Sequence, residues 1–250
     1  MKAMIFAAGL GTRMSPNTDH TPKALIEVAG VPLLEINIRR LIKHFGVTEI
    51  IVNVHHFAPL VIKYIDDNKG FGADIIVSDE SDQLLDTGGG LETGGGLKRA
   101  AWFFDDDKPF FICNADILCE IDLNAMLGQH VKTKAAVTYA VQSRETSRYM
   151  LHDDALRLCG WANMKKRQIK IRRTKPELTA YSFSCFHVMN PSFLKTAPLE
   201  DYFSMIDWYL AQCSSKKIIG FAHNTDDWYD IGTPQMIPLA ENLAKKLILE

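Results

Sequence analysis

The chain has 250 residues, 47% of them hydrophobic and 23% charged, the mix of an ordinary folded globule, which excludes a disordered, collagen-like or coiled-coil chain. Its 28 basic and 30 acidic side chains give a formal charge of −2, so no basic excess points to nucleic acid as a partner. A chain this long buries roughly 70–75% of its unfolded surface and needs neither disulfides nor a structural metal. The five cysteines form no C-x-x-C pair and read as small hydrophobes of a reducing, cytoplasmic setting.

Short apolar runs alternate with amphipathic stretches through the first half. Residues 4–8 read as a buried strand. In residues 33–45, Leu34, Ile38, Leu41, Ile42 and Phe45 recur at helical spacing, and Gly46 ends the helix. A strand over 49–54, a helix over 59–68, a strand over 73–78, a helix beginning at 97–104 and a buried strand over 110–113 come next. That order implies right-handed crossovers and a mostly parallel sheet. The second half is richer in strands, expected over 135–141, 156–161, 168–171, 181–188 and 217–222, with long helices over 199–212 and 234–249. The basic stretch from Lys165 to Arg173 reads as a solvated surface segment. No apolar run approaches 18 residues, and the apolar start is too short for a signal peptide, so no membrane partner is expected. One hexapeptide is copied in tandem, Leu85-Asp86-Thr87-Gly88-Gly89-Gly90 followed by Leu91-Glu92-Thr93-Gly94-Gly95-Gly96, and reads as a duplication within a loop.

Four clusters could carry chemistry. Ala7-Ala8-Gly9-Leu10-Gly11-Thr12-Arg13 comes after the first strand, where ligands of parallel sheets bind and where glycines let backbone N–H groups turn toward an anion. Met14 replaces the third glycine of a dinucleotide fingerprint, and no P-loop is present. Arg13 beside those amides suits a polyphosphate, and Lys23, after the stiffening Pro22, makes a two-cation clamp. Asp116 ends a very apolar strand, a position that calls for a metal, a cap or an Asx turn. Asp230 lies between apolar residues, with Thr233-Pro234 read as the start of the last helix. Two aspartates on separate elements can share a hard cation such as Mg²⁺, which favours few carboxylates plus substrate phosphates. The alternative for Asp230 is a purely local role in its turn.

In order and spacing, Ala7 to Arg13, Thr21-Pro22-Lys23, the TGGG repeat, Asn114-Ala115-Asp116 and Trp228 to Thr233 resemble the sugar nucleotidyltransferases from Met1 to about residue 245. Compact size resembles the short uridylyl- and guanylyltransferases of that family, without the hexapeptide repeats of longer members. The resemblance implies a Rossmann-like three-layer α/β sandwich with a mixed, mostly parallel sheet, of the nucleotide-diphospho-sugar transferase type. It implies one domain over 1–250, with a nucleotide-binding lobe about 1–135, a sugar-binding lobe about 136–225 and a closing metal loop and helix over 226–250. Ala8, Gly9, Gly11, Thr12 and Asn114 would then lie against the nucleotide. Arg13 and Lys23 would act on the phosphates, and Asp116 and Asp230 would hold Mg²⁺. Gln83 would lie near the base, and Thr87, Gly88 and Gly89 or Thr93, Gly94 and Gly95 would pass close to base and ribose. The strand over 181–185, with Ser184, would face the sugar together with Asn163, while Arg144 and Arg148 are either solvated or partners of a sugar carboxylate. Three departures stand out: Ala115 and Cys185 occupy usual glycine positions, and the TGGG is doubled.

The implied reaction joins a sugar-1-phosphate to UTP, GTP or CTP, with a uridylyltransferase acting on an amino-sugar-1-phosphate as the first reading. Guanylyl- or cytidylyltransfer and a non-catalytic nucleotide-sugar sensor are the alternatives. A dehydrogenase lacks its third glycine here. No Ser-His-Asp or Cys-His signature appears, and His55-His56 reads as a strand end.

Overall fold

The computed structural model describes residues 1–82, 91–224 and 226–249. The amino-terminal half runs β1 (Lys2–Phe6), β2 (Glu27–Val28), β3 (Val31–Pro32), α1 (Leu33–Phe45), β4 (Glu49–Val54), α2 (Ala58–Asp67), β5 (Asp74–Asp79), α3 (Thr93–Arg99), β6 (Phe110–Asn114), β7 (Ile117–Cys119) and α4 (Leu123–Thr133). The remainder runs β8 (Val137–Gln142), β9 (Arg148–His152), β10 (Leu158–Asn163), β11 (Gln168–Ile171), β12 (Thr179–Met189), α5 (Pro191–Leu194), α6 (Met205–Gln212), β13 (Ile218–Ala222), β14 (Trp228–Asp230) and α7 (Met236–Leu249).

The main sheet has the order β11-β10-β9-β12-β6-β1-β4-β5, with β8 joined to β12 and β13 to β8. β5, β4, β1 and β6 run parallel to one another, so all four carboxyl ends open on one edge. β12 pairs antiparallel with β6, β8 and β9, which turns the sheet from parallel to mixed. One apolar cluster joins α1, α2 and α4 to one face through Leu34, Ile38, Val61, Met126 and their neighbours. A second joins α3 and α6 to the other face through Leu97, Trp208 and Tyr209. These two clusters give the three-layer α/β sandwich. A third packs α7 against Met14, Leu33, Leu118 and Ile231.

Local sequence explains the clearest elements. α1 buries Leu33, Leu34, Ile38 and Leu41 and stops where Gly46 takes φ 60°, its N–H bonded to the Leu41 carbonyl. α4, which apolar periodicity does not reveal, is capped by Asp122, whose carboxylate accepts from Ala125 N at 2.9 Å. The helix expected over 199–212 begins at Met205, capped by Ser204, and residues 199–204 form an irregular strap. The last helix begins at Met236, two residues beyond Pro234, because Thr233 and Pro234 form the preceding turn. The TGGG segment 93–96 is the first turn of α3 and not a loop. Among the described residues, no helix is long and apolar enough to cross a membrane. All five cysteines are free.

Two histidines make this core sensitive to acid. His152 bonds to the Tyr139 hydroxyl at 2.6 Å and His187 to that of Tyr209 at 2.9 Å, all four side chains being buried. Burial lowers His152 to about 4 and His187 to about 3. Because an unfolded histidine titrates near 6.5, the unfolded chain binds more protons in this range. Stability is therefore full above about pH 6.5 and falls as pH drops toward the folded values. Urea unfolding between pH 8 and 4.5 should show this loss, and a flat profile would contradict the neutral buried pair.

Candidate nucleotide and metal site

A cavity of about 390 Å³ opens at the carboxyl ends of β6, β1 and β4, lined by Ala8, Gly9, Lys23, Asn53, Asp116 and Tyr202 among others. The glycine turn is held from beneath: Ala7 N donates to Asn53 Oδ1 at 2.9 Å, and Asn53 Nδ2 donates to Glu80 Oε1 at 2.8 Å. Burial raises the buried Glu80 carboxyl above its ordinary range. Gly11 adopts φ +69°, and a Cβ there would stand 3.0 Å from Thr18 and 3.1 Å from Lys23. The turn therefore folds directly onto the segment that delivers Lys23.

The two aspartates approach through backbone pairing. β7 and β14 form an antiparallel ribbon in which Asp230 faces Ile117. Ile231 N donates to the Asp116 carbonyl at 2.9 Å. Asn37, buried on α1, donates to the carbonyls of Ala115 at 3.1 Å and Ile117 at 3.3 Å, clamping both sides of Asp116. Lys23 Nζ is ion-paired to Asp116 Oδ2. Arg13 is exposed but lies against Gly232, where a Cβ would come within 2.9 Å of Nη2. Burial and the charge of Asp116 raise the Asp230 carboxyl, while Lys23, Arg13 and Arg144 pull it down. Met14, Leu118 and Ile231, close in sequence to Arg13, Asp116 and Asp230, share the buried cluster under α7.

Among the described residues, no group of three or more His, Cys, Asp or Glu could hold a metal. Asp116 and Asp230 could offer two hard carboxylates, a set that suits a Mg²⁺-like ion keeping water and phosphate ligands. The raised Asp230 carboxyl supports that fit, because burial and the neighbouring Asp116 charge disfavour its ionised form and a further cation would favour it.

Several expected contacts are redistributed. Ala8, Gly9, Lys23, Thr93, Asn114 and Asp116 line the cavity; Gly11, Thr12, Arg13 and Asp230 stand outside that lining. Gly94 and Gly95 do not line it either: both N–H groups donate to the Phe203 carbonyl, at 3.0 and 3.2 Å. Gln83, Thr87, Gly88 and Gly89 lie outside the described residues. Ser184, expected at the sugar, is fully buried and its hydroxyl bonds to His223 Nε2 at 2.8 Å. Asn163 closes the β10–β11 turn by accepting from Lys166 N at 3.0 Å. Cys185 takes φ 63°, so a left-handed backbone occurs at the position where the resemblance places glycine. Asn37, Asn53, Tyr202 and His223 carry no sequence signal that singles them out. His223 is pushed down to about 4 by burial and by Arg144, whose guanidinium stacks 3.9 Å over the Trp228 ring.

A family model for nucleotidyl transferases matches residues 2–158. The chain belongs to the nucleotidyl transferase family. It is 42% identical over 125 residues to N-acetylmuramate alpha-1-phosphate uridylyltransferase of Neisseria meningitidis serogroup B, a match covering 50% of this chain and 51% of that protein. It is 33% identical over 132 residues to mannose-1-phosphate guanyltransferase of Gibberella zeae, covering 52% of this chain and 34% of that one. The matches thus span about half or less of these relatives. In fold it is similar to HddC from Yersinia pseudotuberculosis complexed with GMP-PN, with a TM-score of 0.73, 20% identity and coverage of 96% and 98%.

Two variants test this geometry. Asn37→Ala removes the clamp around Asp116, with an expected cost of about 1–3 kcal/mol in denaturant unfolding; unchanged stability would contradict the clamp. Asp230→Asn removes a carboxylate whose raised pKa marks a destabilising charge at neutral pH. Its melting temperature in chelator should rise above wild type, and a fall would contradict the electrostatic reading.

Proposed function

We propose that the protein is a sugar-1-phosphate nucleotidyltransferase, joining a nucleoside triphosphate and a sugar-1-phosphate into a nucleoside-diphospho-sugar and pyrophosphate. The observation that carries this reading is the convergence of Lys23, Asp116, Asp230 and Arg13 beside a cavity walled by the glycine turn. The similarity to an N-acetylmuramate-1-phosphate uridylyltransferase supports UTP and an amino-sugar-1-phosphate as the first substrate pair. The guanyltransferase relative favours GTP as the second candidate.

In this reaction an oxygen of the sugar phosphate attacks the α-phosphorus in line, forming a new P–O bond. The bond from the α-phosphorus to the bridging oxygen of pyrophosphate breaks, and its electron pair leaves with that oxygen. A phosphate monoester, with a second pKa of about 6, is already mostly dianionic at neutral pH, so the nucleophile needs no general base. Catalysis then rests on alignment and charge neutralisation. Lys23 offsets charge at the transferred phosphoryl group, and Arg13 draws charge onto the departing pyrophosphate. Asp116 and Asp230 would hold Mg²⁺, which supplies a Lewis acid for the phosphate oxygens when bound.

A pyrophosphate-release screen of four nucleoside triphosphates against sugar-1-phosphates, with Mg²⁺ or with chelator, tests the proposal. The expected result is metal-dependent release with one preferred base, and no release from any pair would overturn it. Asp116→Asn should lower turnover by about 10²–10³-fold or more, by analogy with loss of one preorganised electrostatic group. Its circular dichroism should remain that of wild type; near-normal activity would remove Asp116 from the metal site.

A further inference from the structure

The strap between α5 and α6 bears on the cavity in a way the reaction above does not use. Its Phe203 carbonyl receives the N–H groups of Gly94 and Gly95. A Cβ on Gly94 would stand 2.4 Å from the Phe203 ring, and one on Gly95 would stand 1.9 Å from the Asp201 carbonyl oxygen. The strap therefore lies directly on the α3 backbone, at a separation that excludes any side chain. Lys98 ties it further, donating to the carbonyls of Leu199 at 2.6 Å and Glu200 at 3.0 Å and to Asp201 Oδ1 at 2.8 Å. Thr93 Oγ1 accepts from Met205 N at 3.3 Å. Held at both ends, the strap brings Tyr202 to the cavity wall. Tyr202 is 46% exposed, so part of its side chain is open to a ligand in the cavity. Among the described residues, no other aromatic ring packs against it.

The cavity is chemically uneven. Lys23 and Asp116 pair where β6 ends, whereas Tyr202, on the strap docked against the start of α3, lines the cavity with Leu91, Glu92 and Thr93, a side that offers a phosphate no cation. A phosphate gains nothing from a ring face, which carries negative charge density. A flat, neutral heterocycle gains a stack.

We propose that Tyr202 is the aromatic wall on which the nucleobase of the bound nucleotide stacks, presented by the strap that the glycines of the second TGGG copy admit. The inference rests on the nucleotidyltransferase reading. Stacking accepts any base, so Tyr202 contributes affinity for the nucleotide without choosing its identity. It also places the base against residues 91–93 and the phosphates toward Lys23.

Calorimetric titration of UTP, GTP, CTP and ATP into the full chain with Mg²⁺, alongside steady-state kinetics, tests it with Tyr202→Ala and Tyr202→Phe. For the tightest-binding triphosphate, Tyr202→Ala should weaken binding and raise its KM by about tenfold or more, and Tyr202→Phe should stay within about twofold, as expected for loss and retention of a base stack. The KM for the sugar phosphate and kcat at saturating triphosphate should not move, and melting temperatures should match wild type. Unchanged triphosphate binding in Tyr202→Ala, or an effect confined to the sugar phosphate, overturns the inference while leaving the enzyme reading in place. A wild-type protein that binds none of the four triphosphates overturns both.

Discussion

The site depends on keeping two carboxylates close enough to act together without letting their repulsion push them apart. Asp116 and Asp230 come from positions 114 residues apart in the chain, and the β7–β14 ribbon makes them neighbours. Backbone hydrogen bonds hold the ribbon regardless of the charge on either side chain. Lys23 neutralises Asp116 directly, and Lys23, Arg13 and Arg144 together lower the cost on Asp230. The remaining strain falls on Asp230, whose carboxyl is held above its usual range. Apolar packing beneath makes the arrangement tolerable: Met14, Leu118 and Ile231 are fully buried in one cluster with α7, so the backbone near three of the four charged groups is anchored by hydrophobic contact. Surface charges alone would not hold such geometry, since exposed ion pairs contribute little.

Much of this arrangement was legible in the sequence, and the part that was legible has a physical signature. The strand–helix alternation of the first half marks a parallel sheet because each crossover needs a helix, and β1, β4, β5, β6 and α1 conform to it. Arg13, Lys23, Asp116 and Asp230 stood out because charges beside glycines or after apolar runs demand partners. β7 and β14 leave no mark in the sequence because each spans three residues, too few for a period of two to show. The strap at 199–204 carries a helix-like apolar spacing, yet Lys98 and the α3 glycines bind its backbone and override that pattern.

The groups that support the site were silent for a different reason. Asn37 sits in an amphipathic helix, and its value lies in carbonyls about 80 residues away. Asn53 is the penultimate residue of a buried strand and joins Ala7 to Glu80 across separations of 46 and 27 residues. No local pattern encodes such contacts, because the polar atom is indistinguishable from any other until the fold supplies its partner. Ser184 is the converse case. It had a motif to recommend it, and its hydroxyl is spent on His223 in the interior.

The doubled hexapeptide shows how downstream residues can decide between identical motifs. Either TGGG copy offers the glycines that docking of the strap requires, but the two copies lead into different residues. After the second copy come Leu97, which is fully buried, and Lys98, which meets two strap carbonyls and Asp201. After the first copy come Leu91 and Glu92. A six-residue slip would exchange leucine for leucine at position 97. It would also place a carboxylate where Lys98 stands, facing Asp201 and two carbonyl oxygens, all of them acceptors or negative. The charge of Lys98 therefore favours the observed register of α3 against the strap, while the glycines of the two copies are interchangeable.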